Sequence, residues 1–476
     1  MERSNTISSR RWSALALIVT AQFMVILDVA IVNVALPSIQ QDLGFSRDDL
    51  QWVVSAYAIL FGGALLLGGR LADLLGRRRL FAGGLLVFAA SSLLCGLAWS
   101  EGSLIAFRAV QGAGGALLAP AALALLMTTF SEGRERNLAL GIYGAASGSG
   151  AAAGVLLGGL LTSYLSWTWI FFINVPVGIA AAALAPVLLR ESRPELGHRH
   201  LDLRGAVTGT GGLMLLVYGL TEGTSAGWSA TSTVASLAAS VALLGAFLAF
   251  EARSPWPLLP LRLFRSRTVS ASNAVMAIVG AVTFSEFFLL TLYLQDALHY
   301  SAVQSGAAFV GFAGTVVVVS NLAQLVVGRL GVRATLTAGL LLSALSIAVL
   351  SRLPEHAHYF WDLFPAFVIG GAGLGLSFVP LTIGSLTGIS RADAGIASGL
   401  VNTSRQVGGA IGIAVASAIA LDQGPRTAMV VLAGLTLLAA AVTAGFLGAT
   451  GVTTAPEEAV PALADFDESL PLERAA

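Results

Sequence analysis

The chain contains no lysine: all 26 of its basic residues are arginine, set against 26 acidic ones. Without lysine there is no P-loop GxxxxGK[ST] and no Schiff-base chemistry, so a Walker-type ATPase is excluded. A single cysteine, Cys95, rules out a disulfide framework and any cysteine-built metal or iron–sulfur site. The five histidines (His198, His200, His299, His356 and His358) all fall in stretches that read as loops, which leaves no bis-histidine haem inside a membrane. Charge is the scarcest commodity: 11% of 476 residues, where a soluble protein carries about a quarter. The net charge of zero argues against a nucleic-acid partner. What fills the chain instead is 56% hydrophobic residues, with a mean hydropathy of +0.82. It cannot cover itself for water. Its solvent is lipid.

A helix needs about 20 apolar residues to cross a bilayer. Such stretches fall near 12–36, 49–69, 79–99, 103–128, 137–163, 167–189 and 203–221, then near 231–251, 268–295, 302–327, 331–351, 360–387, 395–420 and 427–449. They predict an all-α integral membrane protein of fourteen spans; β-barrel strands would be half as long and alternate in polarity. The first stretch is too long for a signal-peptide core and reads as an uncleaved helix. Fourteen spans put both termini on one side, and alternate loops then place 21 arginines there. The other side receives three, Arg47, Arg352 and Arg426, while Arg108 and Arg405 lie within helices. The positive-inside rule makes the arginine-rich side cytoplasmic. The acidic stretch 450–476 reads as a disordered cytoplasmic tail.

The sequence also repeats itself. Gly69-Arg70-Leu71 recurs 259 residues later as Gly328-Arg329-Leu330, and Gly112-Ala-Gly114 recurs at the same offset as Gly371-Ala-Gly373. Pro120 matches Pro380, and Asp28 maps to within one residue of Glu286. This divides the chain into a short N-terminus (1–11), a six-helix bundle (12–189), a linker with two inserted helices (190–267), a second six-helix bundle (268–449) and the tail (450–476). Both copies start on the same side, a parallel repeat about an axis normal to the membrane.

Five stretches carry a resemblance. Leu27-Asp28-Val-Ala-Ile-Val-Asn33-Val-Ala-Leu-Pro37, Gly69-Arg-Leu-Ala-Asp73-Leu-Leu-Gly76-Arg77-Arg78-Arg79 and Arg108-Ala-Val-Gln111-Gly112 are three of them. The others are Gly150-Ala-Ala-Ala-Gly154-Val155-Leu-Leu-Gly158-Gly159 and Trp167-Thr-Trp169-Ile-Phe-Phe-Ile-Asn174-Val-Pro176. Together they resemble the major facilitator superfamily, specifically its fourteen-helix drug:proton antiporters of EmrB/QacA type. Val155 stands where the antiporter motif usually has proline, and Thr168 where an arginine is usual. The resemblance implies a fold of two six-helix bundles plus two inserted helices. It also implies a proton-driven exporter of lipophilic or cationic drugs, working by alternating access in a bacterial cytoplasmic membrane. The alternative is an exporter of one endogenous metabolite, such as a self-made antibiotic, siderophore or amino acid. No nucleophile–base set or metal cluster points to an enzyme. No cofactor is expected beyond the proton gradient, and the partners are a small molecule, protons and lipid, with the protein a monomer.

Physical chemistry assigns the candidate residues. An ionised Asp28 in an apolar helix costs several kcal/mol unless it faces a cavity, finds a partner or takes up a proton; Glu286 obeys the same argument. Arg108 either snorkels to the interface or turns inward, and Gln111, Gly112 and Gly115 make its face small and polar. Asp28, Glu286 and Arg108 are therefore the proton-coupling candidates. Asp28, Asn33, Gln111, Phe284, Glu286, Phe287 and Arg405 are the cavity candidates, with Glu286 the candidate partner of Arg405 by sign. Gly69, Asp73, Gly76, Arg77 and Arg78 form a turn in which Asp73 can engage a helix N-terminus or an arginine as a breakable latch. Gly150, Gly154, Gly158 and Gly159 present a smooth face for close helix packing, which in the resembled family seals against the other bundle.

Overall fold

The computed structural model describes residues 2–50, 52–131, 133–192, 202–354, 356–390 and 393–446. The loop around Arg193 and the tail 450–476 lie outside the described residues. Twelve described stretches are long and apolar enough to cross a membrane, and two features raise the number to fourteen. Val303–Leu350 spans 48 residues, roughly 70 Å as a helix, more than twice the ~30 Å hydrocarbon core. It breaks at Gly331, whose φ of 80° and ψ of 167° a residue with a Cβ would rarely adopt. The helix Arg134–Tyr164 has 31 residues and is long enough to cross.

In chain order the spans are α1 (Glu2–Leu43), α2 (Trp52–Leu75), α3 (Arg77–Gly96), α4 (Glu101–Thr129), α5 (Arg134–Tyr164), α6 (Asn174–Leu188), α7 (Leu203–Ser225) and α8 (Thr231–Glu251). Then come α9 (Arg267–Leu292), α10 and α11 (310–330 and 332–350), α12 (Phe364–Leu386), α13 (Ala394–Gln423) and α14 (Pro425–Phe446). Local chemistry sets several starts. Ser100 and Ser103 form a reciprocal capping box on α4, and Asp202 and Ser266 accept the backbone N–H of Gly205 and Val269 to cap α7 and α9. One boundary differs from expectation: α1 does not stop near residue 36 but runs through Pro37 to Leu43. Its end is anchored where Trp167 Nε1 donates to Asp42 at 2.8 Å, and membrane helices tolerate such a proline.

α1–α6 and α9–α14 form the two bundles. α7 lies against α2 and α13 and α8 packs on α7, with Trp52 stacked on Tyr218 at 5.6 Å and an apolar core shared by Leu66, Leu213, Phe247, Ile396 and Leu400. The larger cores divide by depth. On the arginine-rich half a single core joins both bundles, running from Ile18, Phe81 and Leu126 to Met276, Leu340 and Val401. On the opposite half each bundle has its own, around Ile31, Leu104 and Phe171 in the first and Leu290, Phe312 and Phe367 in the second. A seam still joins them there, with Gly159 of α5 against Val303 in the short helix Ala302–Ala308 that leads into α10. The apolar core that joins the two bundles therefore lies toward the arginine-rich face.

Candidate functional site

Asp28 is fully buried inside the first bundle, where donors from two helices, α4 and α6, hold its carboxylate. Arg108 Nη1, from α4, donates to Oδ2 at 2.7 Å. Gln111 Nε2 and Asn174 Nδ2 each donate to Oδ1 at 2.8 Å. Arg108, 1% exposed, also donates to the Val53 carbonyl at 3.0 Å and the Gln111 side-chain oxygen at 2.6 Å. Its guanidinium lies 4.4 Å from the centre of the Tyr57 ring, a cation–π contact in a dry place. Ser92 closes the cluster by accepting from Gln111 at 2.6 Å. The charge pair is thus fully solvated by protein, the arrangement that makes a buried ion pair tolerable and its disruption expensive.

Glycine brings α1 to this position. A Cβ on Gly154 would fall 2.8 Å from the Leu27 carbonyl oxygen, and one on Gly150 or Gly158 would fall 3.0 Å from that of Phe23 or Ile31. Gly154→Leu should therefore push α1 off α5 and displace Asp28, giving a protein that inserts but transports at background rate, read by vesicle uptake.

The second feature lies at the arginine-rich face. Asp73, at the end of α2, accepts from Arg77 Nε and Nη2 at 3.1 and 2.7 Å. It also reaches across to the other bundle, accepting the backbone N–H groups of Gly395 at 3.1 Å and Ile396 at 3.0 Å. These are the first turn of α13, whose orphan donors need an acceptor. Asp393 occupies the usual capping position but does not cap its helix; it bonds Arg262 instead, at 3.0 Å. A carboxylate of the first bundle therefore caps a helix of the second, favoured by the helix dipole. Close approach is needed: a Cβ on Gly69 would fall 2.5 Å from the Gly395 carbonyl oxygen. Gly76 makes the turn into α3 at φ 104°, and Arg78 is held by Glu191, whose Oε1 accepts its backbone N–H at 3.1 Å.

Comparison with known proteins agrees with this architecture. The Major Facilitator Superfamily matches residues 18–412 and 273–470. The chain belongs to that superfamily. This facilitator is 43% identical over 413 residues to the puromycin resistance protein pur8 of Streptomyces alboniger, covering 86% of this chain and 82% of the relative. It is also 43% identical over 411 residues to the cephamycin export protein CmcT of Amycolatopsis lactamdurans, covering 86% and 85%. The tetracenomycin C resistance and export protein of Streptomyces glaucescens is 36% identical over 410 residues, covering 85% and 75%. Among solved structures, the human organic anion transporter MFSD10 (TETRAN) superposes with a TM-score of 0.67 over 91% of this chain and 99% of its own, at 16% identity, a likeness of fold. The protein is a multi-pass membrane transporter of small molecules, not an enzyme.

Several expected placements change in this facilitator. Gly150, Gly154 and Gly158 do not face the other bundle, because their four-residue spacing lays all three along α1. The seam between bundles is made instead by Gly141 against Ser320, Gly144 against Phe378, Gly148 against Val316 and Gly159 against Val303. Val155's side chain lies outside the described residues. Asp28 and Gln111 do not line an inter-bundle cavity here; Arg108, Ser92 and Asn174 fill the space around them. Phe287 is likewise internal, stacked on Phe309 at 4.7 Å and edge-on to Phe312 at 5.3 Å. Phe284 packs on Gly409 of α13. Asn33 is exposed on α1 and bonds back to the Val29 carbonyl at 2.9 Å.

The Glu286–Arg405 pairing does not form. Gly280, Ala277 and Ala281 press against the backbone of Arg405, Gly408 and Gly412, which locks α9 to α13. Arg405 lies within electrostatic reach of Tyr143 of the first bundle. Tyr143 donates to Gln22 at 2.7 Å, and Gln22 to Ser147 at 3.0 Å. Sequence reasoning passed over Gln22 and the amide of Asn174 as site residues. An amide in an otherwise apolar span was the available signal for both.

Proposed function

We propose that this facilitator exports antibiotics or other lipophilic toxins across a bacterial cytoplasmic membrane in exchange for protons, with its arginine-rich face and both termini in the cytoplasm. The observation that supports it most is the buried Asp28–Arg108 pair joined to a latch that ties the two bundles. A proton arriving at Asp28 Oδ2 removes the charge that holds Arg108. The guanidinium keeps Gln111, the Val53 carbonyl and the Tyr57 ring, while α1 loses its ionic tie to α4 and keeps the neutral bond from Gln111 to Oδ1. Substrate and proton must favour different arrangements of the bundles, or no coupling arises. Asp73 supplies the second arrangement: intact, it closes the cytoplasmic side, and parted from α13 it opens that side for loading. Residues between the bundles, Tyr143, Gln22, Ser147 and Arg405, offer hydrogen bonds and one positive charge to a bound compound.

Growth of a hypersensitive strain expressing the protein tests this reading, with puromycin, cephamycin, tetracenomycin C and lincomycin as probes. Resistance to at least one that disappears with Asp28→Asn is the expected result; unchanged sensitivity to all four and to a wider toxin panel would reject it. Orientation has its own test. In a Cys95-free variant, cysteine at Ala226, exposed in the loop after α7, should react with an impermeant maleimide from outside the cell, and protection there would reverse the topology.

A further inference from the structure

Glu286 is 8% exposed and lines a chamber inside the second bundle, walled by α9, α10, α11, α12 and α14. The chamber's free volume is about 20 Å³, room for about one water. Thr283, Ser343, Ser377 and Thr436 are its other polar lining residues, and among the described residues no second titratable side chain faces it. The hydroxyls of Ser377 and Thr436 donate to the carbonyls of Gly373 and Leu432 at 2.8 Å each, which leaves their oxygens free to accept. Glu286 itself bonds no described residue, and Arg405 of neighbouring α13 forms no ion pair with it.

The repeat makes the contrast sharp. At the offset of 259 that relates Gly112 to Gly371, Arg108 and Gln111 correspond to Phe367 and Gly370. Phe367 lies in the apolar core, and Gly370 lines the chamber. The first bundle answers its carboxylate with a cation and two amides; the second answers with a ring, a hydrogen atom and a small polar hollow. An ionised carboxylate left alone at membrane depth is costly, so this one is complete only with a cation of its own.

We propose that the Glu286 chamber is a second coupling site, taking one monovalent cation per transport cycle, a proton or a sodium ion, separately from the Asp28–Arg108 pair. A proton adds to a carboxylate oxygen of Glu286, or a sodium ion sits among that carboxylate, the hydroxyls and a water. The inference rests on the coupled export proposed above, and its test has one arm that needs no export.

In the first arm the full-length protein is melted in detergent from about pH 6 to about pH 9 in sodium-free buffer. If the chamber holds a proton, folding binds it, so stability is full at low pH and falls as pH rises. The wild-type melting temperature should drop by about 2 °C or more across that range, and Glu286→Gln should not share the drop. If sodium is the ion, added sodium should raise the wild-type melting temperature and leave Glu286→Gln unmoved. Identical wild-type and variant profiles against both pH and sodium would overturn the proposal. In the second arm, proteoliposomes are brought to balance with puromycin at a series of pH or sodium gradients. The slope of log substrate ratio against log ion ratio should be lower by one in Glu286→Gln, and an equal slope overturns the second site. Wild-type liposomes that move no puromycin would count against the export reading, while the melting arm still decides the chamber.

Discussion

Asp28→Asn and Arg108→Gln should each abolish pH-driven export and each destabilise the protein by about 3–5 kcal/mol, the cost of stranding one member of a buried pair. The double variant should recover much of that stability yet remain inactive. The geometry forces this outcome. Asp28 and Arg108 are 0% and 1% exposed with their atoms 2.7 Å apart, and the donors around the carboxylate are all spoken for by one another. Removing the aspartate charge leaves Arg108 facing the Val53 carbonyl, an amide and two rings, none of which is anionic. Removing both charges leaves a polar but neutral cluster. Melting of the four proteins in one detergent gives the double-mutant cycle directly. Additive losses in the double variant would mean that the two residues act separately.

Asp73→Asn should unlock the opposite end. The amide keeps the size of the carboxylate but offers α13 no charge and leaves Arg77 without its 2.7 Å ion pair. A hydrogen bond to a charged group contributes about 1.5–3 kcal/mol, so the closed arrangement should lose about 10- to 100-fold in population. A cysteine at Ala397, 2% exposed on the first turns of α13, reports the change in a Cys95→Ala background. Its reaction with a hydrophilic maleimide from the arginine-rich face should accelerate by a similar factor. An unchanged rate would show that the apolar core around Met276 and Val401 closes this face without help from the latch.

How much of this was legible in the sequence depends on the range of the interactions. Span number, the repeat and the latch chemistry are local: apolar length, a fixed offset, and an aspartate four residues before an arginine in a glycine-bounded turn. Arg108 and Asp28 could be placed at one depth from helix geometry alone. Which helix face meets which neighbour is decided by tertiary packing, and there the reading failed in particular places. Gly150, Gly154 and Gly158 look like a seal between bundles, but a smooth face says only that something packs closely, and α1 does. Glu286 and Arg405 look like partners by sign, yet the contact of Gly280 with Arg405 and of Gly408 with Ala277 fixes a helix rotation that separates them. Asn174 was noticed as part of a signature, while its hydrogen bond to a residue 146 positions away could only be seen in three dimensions.

Coupled export by alternating access is tested most directly with inside-out proteoliposomes containing the purified protein, an acidic lumen and puromycin outside. Uptake against its own gradient that stops when nigericin collapses the pH difference, and that is absent with Asp28→Asn, is the predicted result. Accumulation that is indifferent to the pH difference in the wild type, or that survives undiminished in Asp28→Asn, would contradict it.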